Sequence, residues 1–322
     1  MTDPTIKCLD SAHGRDWTMY RGDCVEVVGQ MPDCSVDFSV YSPPFADLFI
    51  YSESERDMGN NPSDGAFAEH YGYLLAQMFR VVRPGRICAV HVSDLPARKS
   101  KEGFIGMRDF SGEVIRAHTA AGFHYHGRFT IWKDPVREMQ RTKSHGLLYK
   151  NIKEDSTRNR MGFPDYILLF KRPPTTPAED AMVVPVTHTP QTFPLDDWQR
   201  IASPIWNTNE TDNDRKLAAL DHAWFDIDQS NTLNARKARD SRDERHMCPL
   251  QLDVIDRLCL MYSNPGEVCL SPFGGVGSEG VGALKRGLRY VGVELKDSYF
   301  AHAVRNLKEE EGIDQMSMFG GR

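Results

Sequence analysis

No stretch of this 322-residue chain approaches the roughly 20 consecutive apolar residues that span a bilayer, and no apolar run precedes a cleavage site near residue 1. A membrane protein is therefore not expected, and the expected compartment is the cytoplasm. Cysteine is sparse: Cys8, Cys24, Cys34, Cys88, Cys248, Cys259 and Cys269 form no C-x-x-C pair, and three lie in or beside apolar stretches. Reduced, buried thiols follow, rather than a disulfide framework or a zinc site. The histidines give no metal set either. His124 and His126 are expected on one face of a strand with His118 nearby, but no cysteine or carboxylate stands at ligand spacing. Basic residues are not in excess, with 39 Lys and Arg against 45 Asp and Glu and a formal charge of -6. A nucleic-acid partner would have to be met by local charge rather than by the total. No internal repeat is visible. What remains is a globular chain, 40% hydrophobic, able to bury one large domain core and carry a smaller insertion.

The glycine segment near the C-terminus is the first positive signal. Residues 267–270 read as a short buried strand, 271–277 as a turn and 278–286 as a helix that Gly287 stops. Residues 289–294 form a second strand ending in Glu294, and Asp297 caps a final helix through Tyr299, Ala303 and Leu307. In this β-α-β unit, Gly275, Gly277 and Gly280 fit G-x-G-x-x-G, and Glu294 stands near the distance at which an acid meets a ribose hydroxyl pair. An adenosine-bearing cofactor is expected. A nicotinamide oxidoreductase built on this turn needs several more strands after the acid, and only one helix and a short tail follow. The sheet must be completed by residues that precede the glycine loop.

The second signal lies at the other end of the chain. Ser42, Pro43, Pro44 and Phe45 follow an apolar run, residues 36–41, that reads as a strand. Ser-Pro-Pro alone is usually a polyproline linker, but a linker does not close a buried strand. Asp23, at the head of residues 23–28, can begin a helix as its cap.

The order of these motifs resembles the β class of DNA amino-methyltransferases. In that class an S/D/N-P-P-Y/F/W segment comes first, a target-recognition region second and an F-x-G-x-G cofactor loop last. Residues 22–28 and 36–45 resemble the family's opening block, residues 271–277 its cofactor loop, and residues 246–251 the entry to the helix that closes over the methionine part of the cofactor. The resemblance covers roughly 1–170 and 244–310. It implies an α/β fold: a doubly wound, circularly permuted Rossmann-like methyltransferase sheet with an inserted target-recognition region. Residues 1–170 would be the catalytic half, 171–245 the recognition insertion and 246–322 the cofactor half. The implied cofactor is S-adenosyl-L-methionine, held by Asp23, Pro249, Ser271, Phe273, Gly274, Gly275, Gly277 and Glu294, with Asp23 reaching the adenine amine. The family usually carries Asp where this chain has Ser271, so one carboxylate near the cationic cofactor is missing.

The chemistry accounts for the residue types. An exocyclic amine of cytosine or adenine is a poor nucleophile because its lone pair is conjugated into the ring, so a site must draw it toward tetrahedral geometry with acceptors. Ser42 Oγ and the Pro43 carbonyl are such acceptors. Pro43 and Pro44 hold the backbone extended and remove N–H donors. Phe45 would stack on a base flipped out of the duplex, at a cost of roughly a few kcal/mol. No metal is required. Ser42 with Phe45 looks more like the cytosine-N4 enzymes than the adenine-N6 ones, so N4 methylation of cytosine in double-stranded DNA is expected, with adenine-N6 as the alternative. A nicotinamide oxidoreductase and a DNA-binding protein with a dead catalytic fold are more distant. A homodimer and a cognate restriction endonuclease stay open.

Local charge supports the DNA reading. Between Lys133 and Arg160 eight Lys and Arg face four acids, with Trp132 and Tyr149 interleaved. Lys133, Arg137, Arg141 and Lys143 are the expected phosphate contacts, joined by Arg236 and Arg239 of a second cluster that acids dilute. Strands are expected at 86–92, 129–132 and 166–171, and helices at 71–79 and 110–121. From 171 to about 206 prolines crowd the chain, and the stretch to Arg245 is expected to add little to the sheet and to read DNA sequence. His91, ending a strand on the side where the site should lie, has no assignable role.

Overall fold

The computed structural model describes residues 6–44, 64–97, 99, 103–104, 106–133, 149–158, 162–209, 225–228, 231–233 and 250–319. The strands are β1 (Asp10–His13), β2 (Trp17–Arg21), β3 (Phe38–Tyr41), β4 (Ile87–Ser93), β5 (Leu95–Ala97), β6 (Gly106–Arg108), β7 (His124–Trp132), β8 (Asp165–Lys171), β9 (Ile205–Asn209), β10 (Phe225–Asp228), β11 (Val268–Ser271) and β12 (Arg289–Glu294). The helices are α1 (Cys24–Gly29), α2 (Asp64–Val81), α3 (Phe110–Ala120), α4 (Tyr149–Asp155), α5 (Pro177–Asp180), α6 (Leu195–Ile201), α7 (Leu252–Tyr262), α8 (Ser278–Lys285) and α9 (Asp297–Phe319).

Ten strands form one sheet in the order β1-β2-β12-β11-β3-β4-β8-β7-β9-β10. From β2 to β4 all neighbours run parallel, and β8 is antiparallel to both β4 and β7. The expected permutation is visible in one pairing: β11 lies beside β3, with Cys269 opposite Phe38 and Leu270 opposite Ser39, although some 230 residues separate them. A buried bond from Ser39 Oγ to the Leu270 carbonyl, 2.8 Å, crosses the same seam. From this seam the chain winds outward both ways, through α2 to β4 and through α8 to β12, so the strand order reverses between β3 and β11. Ligands of open α/β sheets bind outside the C-terminal strand ends at such a point.

Alternation along the central strands feeds two cores. Phe38, Val40 and Ala89 face α7, α8 and α9 through Ile255, Leu258, Val281, Ala303 and Leu307. Tyr41, Cys88, Val90 and Leu270 face α1, α2 and α3 through Val27, Leu74, Met78 and Val114. Period-2 burial on both faces is what a covered parallel sheet demands.

Two expectations are corrected. The proline-rich segment does extend the sheet: β9 runs parallel to β7 with Thr130 opposite Ile205, β10 runs parallel to β9, and Phe193, Ile201, Trp206 and Ile227 are buried. Prolines mark its connections, while Trp206, stacked on Phe129 at 4.2 Å, anchors the added strand. The imidazoles of His124 and His126 do not share a regular strand face, because a bulge between Tyr125 and Gly127 breaks the alternation there. His118 is buried in α3 and stacked on Phe170 at 3.8 Å, and burial pushes its imidazole down to about 3.

Candidate active site

Residues at the ends of β2, β3, β4, β7, β11 and β12 and at the start of β8 lie on the switch-point side of the sheet. After β11 the backbone turns on glycine. Gly275 and Gly277 have φ of +51° and +89°, values that L side chains adopt rarely. A Cβ on Gly277 would lie 3.2 Å from the Ala303 backbone, so its smallness also lets α9 approach. Gly274 N–H donates to the Val293 carbonyl at 2.7 Å, and Gly275 N–H donates to Glu294 Oε2 at 2.8 Å. Lys296 N–H donates to Glu294 Oε1 at 2.8 Å. The acid at the end of β12 thus fixes the loop.

Asp23 stands beside Glu294, because Gly22 N–H donates to the Glu294 carbonyl at 3.0 Å. Asp23 Oδ1 accepts from the N–H groups of Val25 at 2.8 Å and Glu26 at 3.2 Å, so Asp23 does cap α1. Ser271 is fully buried, and its hydroxyl lies close enough to the buried Tyr290 phenol to act on it, although neither group, nor the Ser278 hydroxyl, makes a hydrogen bond of normal geometry among the described residues. Phe273 tilts against Tyr41 of β3 at 5.8 Å, joining the glycine loop to that strand.

After β3 the chain leaves through prolines. Ser42 is half-buried, Pro43 buried and Pro44 half-buried. Tyr41 pairs with Val90, which sets Ser42 level with His91 at the end of β4. Ser42 Oγ lies 3.0 Å from His91 Nδ1 and 3.2 Å from the His91 carbonyl. His91 Nε2 lies 2.9 Å from Asp165 Oδ2, and Lys133 Nζ pairs with the same oxygen. Strand register explains the cluster. Ser93 and Ile131 flank Asp165 as its two cross-strand partners, and His91 and Lys133, two residues further along, share that face as its diagonal neighbours. Burial alone would raise the Asp165 carboxyl, but Lys133 and His91 outweigh it and hold it well below the usual carboxylate range.

Lys133 is the correction among the site residues. Expected at a phosphate, it is 6% exposed, its ammonium committed to Asp165. A basic run in a sequence does not reveal that its first member closes a strand and points inward. Phe45, Pro249, Arg137, Arg141, Lys143, Arg236 and Arg239 lie outside the described residues. Sequence reasoning missed Asp165, which opens an antiparallel strand with no local motif, and the acid at Glu279. Glu279 lies in the first turn of α8, 6% exposed; burial, and then the negative charge of Glu294, pushes its carboxyl up to about 8. A charged residue inside the glycine motif was its only signal.

Among the described residues no helix is long and apolar enough to cross a membrane.

Comparison with known proteins agrees with this geometry. A family model described as DNA methylase, of the N6/N4 type, matches residues 36–305. The type II methyltransferase M.BamHI of Bacillus amyloliquefaciens is 21% identical over 282 residues, 86% of this chain and 54% of its own length. The chain thus spans about half the length of that relative. Among solved structures, the DNA modification methylase TTHA0409 of Thermus thermophilus, crystallised with S-adenosyl-L-methionine, superposes with a TM-score of 0.60 and 21% identity over 91% of this chain and 93% of that one. The cytosine-N4-specific PvuII DNA methyltransferase superposes with a TM-score of 0.55 and 14% identity over 94% and 92%. The chain belongs to the N6/N4 DNA methylase family, and its sheet is the Rossmann-like fold of these structures.

Proposed function

We propose that this chain transfers a methyl group from S-adenosyl-L-methionine to the exocyclic N4 amine of cytosine in double-stranded DNA. The observation that carries the reading is the pairing of β3 with β11, which sets the Ser42-Pro43-Pro44 turn and the glycine loop side by side.

The residues present fit an adenosyl cofactor. Glu294 holds the loop at the end of β12, and its carboxylate stands beside the glycine turn, where a ribose hydroxyl pair would donate to it. Asp23 stands next to it and uses one oxygen as a helix cap. Ser271 and Tyr290 contribute buried hydroxyls, and Glu279 adds a carboxyl beside the loop where the usual acid at position 271 is missing. The cofactor would supply an electrophilic methyl group on a sulfonium. The chain would supply position: Ser42 Oγ and the Pro43 carbonyl accept the amine N–H bonds of a flipped base, and two prolines keep competing N–H donors away. Ser42 at the head of the motif favours cytosine over adenine. Arg137, Arg141, Lys143, Arg236 and Arg239 are assigned to the DNA backbone, and residues 171–245 to sequence recognition.

The test is nucleoside mass spectrometry of duplex DNA incubated with the protein and S-adenosyl-L-methionine. N4-methylcytosine is expected. N6-methyladenine would overturn the base assignment, and no methylated nucleoside would overturn the activity.

A further inference from the structure

Behind Ser42 stands a line of polar groups that methyl transfer does not by itself require: His91, Asp165 and Lys133, each no more than 6% exposed. An imidazole, a carboxylate and an ammonium are costly to bury, and apolar side chains of similar volume often serve stability equally well. Their arrangement is ordered. Asp165 is ionised and therefore only accepts, and both Lys133 and His91 Nε2 address its Oδ2. A neutral imidazole in that setting keeps its single proton on Nε2, toward Asp165, and leaves Nδ1 as an acceptor 3.0 Å from Ser42 Oγ.

We propose that His91 and Asp165 are positioning residues of the methyl-transfer site: His91 Nδ1 accepts the hydrogen bond of the Ser42 hydroxyl and so turns the Oγ lone pairs toward the target amine. This rests on the reading that Ser42 meets that amine. The Ser42 proton has a second acceptor in the His91 carbonyl at 3.2 Å, also on the strand side of Ser42, so either bond leaves the cleft side of Oγ free to accept. The relay also receives the displaced proton. As the amine lone pair forms the N–C bond, the C–S bond breaks and its electrons remain on sulfur. The nitrogen, now positively charged, gives one proton to Ser42 Oγ while Ser42 gives its own to His91 Nδ1. The imidazolium faces the Asp165 carboxylate and later releases its proton to water. Lys133 keeps Asp165 ionised, which preserves the tautomer.

A double-mutant cycle on the full chain tests this, by single-turnover methylation of duplex DNA at saturating cofactor. His91→Phe keeps ring volume and leaves the Asp165–Lys133 pair intact. It should lower turnover by about 10²-fold, within the range of proton-transfer catalysis, with the KM for DNA and the cofactor Kd changed no more than about twofold. In a Ser42→Ala background the same substitution should cost nothing further, because His91 acts through that hydroxyl. Losses that multiply, or turnover within about twofold of wild type, would overturn the proposal. If His91→Phe does not fold, the pair Asp165→Asn with Lys133→Met decides, since a carboxamide can donate to Nε2 and reverse the tautomer without stranding the ammonium. A similar loss of turnover supports the relay, and wild-type turnover overturns it. Absence of methylation by the wild-type chain would sink the parent reading instead, whereas normal methylation with an indifferent His91 sinks only this one.

Discussion

The chain leaves the ends of two adjacent parallel strands in opposite ways. After β11 it turns on Gly274, Gly275 and Gly277, whose backbone N–H groups bond to Val293, Glu294 and Gly274 and whose φ values include +51° and +89°. After β3 it turns on Pro43 and Pro44, which have no N–H to give, beside a hydroxyl whose partners lie behind it. One strand end is rich in donors and tied to a carboxylate; the other is stripped of donors and left with acceptors. On the proposed function, the difference separates holding a cofactor from drawing on an amine, although the two turns stand on neighbouring strands.

Substitutions can break that division at either end. Ser42→Ala, in the donor-poor turn, should lower turnover by about 10²-fold, comparable to the loss of one well-placed polar group in other active sites, and leave the cofactor Kd within about twofold by calorimetry. Glu294→Ala, in the donor-rich turn, removes the acceptor for two backbone N–H groups as well as the proposed ribose contact. Its expected cost is about 1.5–3 kcal/mol of cofactor binding, read as a rise in Kd of about 10- to 150-fold.

Glu279 sharpens the comparison through pH. Its carboxyl is raised from an ordinary 4.5 to about 8 by burial, so the folded chain holds a proton that the unfolded chain has released. The stability from that protonated carboxyl is complete below pH 4.5 and is lost as pH rises through about 8. Cofactor-free protein should therefore lose stability between pH 6 and 8, at up to about 1.4 kcal/mol per pH unit, and Glu279→Gln should flatten that slope in thermal or urea melts. Equal slopes in the two proteins would place the proton elsewhere. The smallest effects belong to the DNA backbone. Neutralising Arg137, Arg141 and Lys143 should weaken binding to all sequences and lower the salt slope by about one per residue, while Lys133→Met, whose ammonium is buried, should leave the slope unchanged.

Which parts were legible in the sequence follows from how local their signals are. The β-α-β unit around Gly275 and Glu294 is contiguous, and the order of the two turns required β11 to lie beside β3. The relay is not contiguous. His91, Asp165 and Lys133 come from β4, β8 and the end of β7, and only the antiparallel register of those strands brings them to one face. Lys133 read as the first of a surface run because charge patterns carry no direction. The strands β9 and β10 were hidden for other reasons: prolines before β9 obscured a short segment anchored by Trp206, and β10 is four residues long with two aspartates around Ile227. Asp23 was readable both as a cap and as a cofactor ligand, and the cap is realised with one oxygen.

The division between the turns is tested most directly by single-turnover methyl transfer measured across a wide range of S-adenosyl-L-methionine concentration, for Ser42→Ala and Glu294→Ala side by side. Saturating cofactor should restore Glu294→Ala to within a few-fold of the wild-type rate and leave Ser42→Ala about 10²-fold slow. The account is contradicted if saturation rescues Ser42→Ala, or if Glu294→Ala stays equally slow with its site filled.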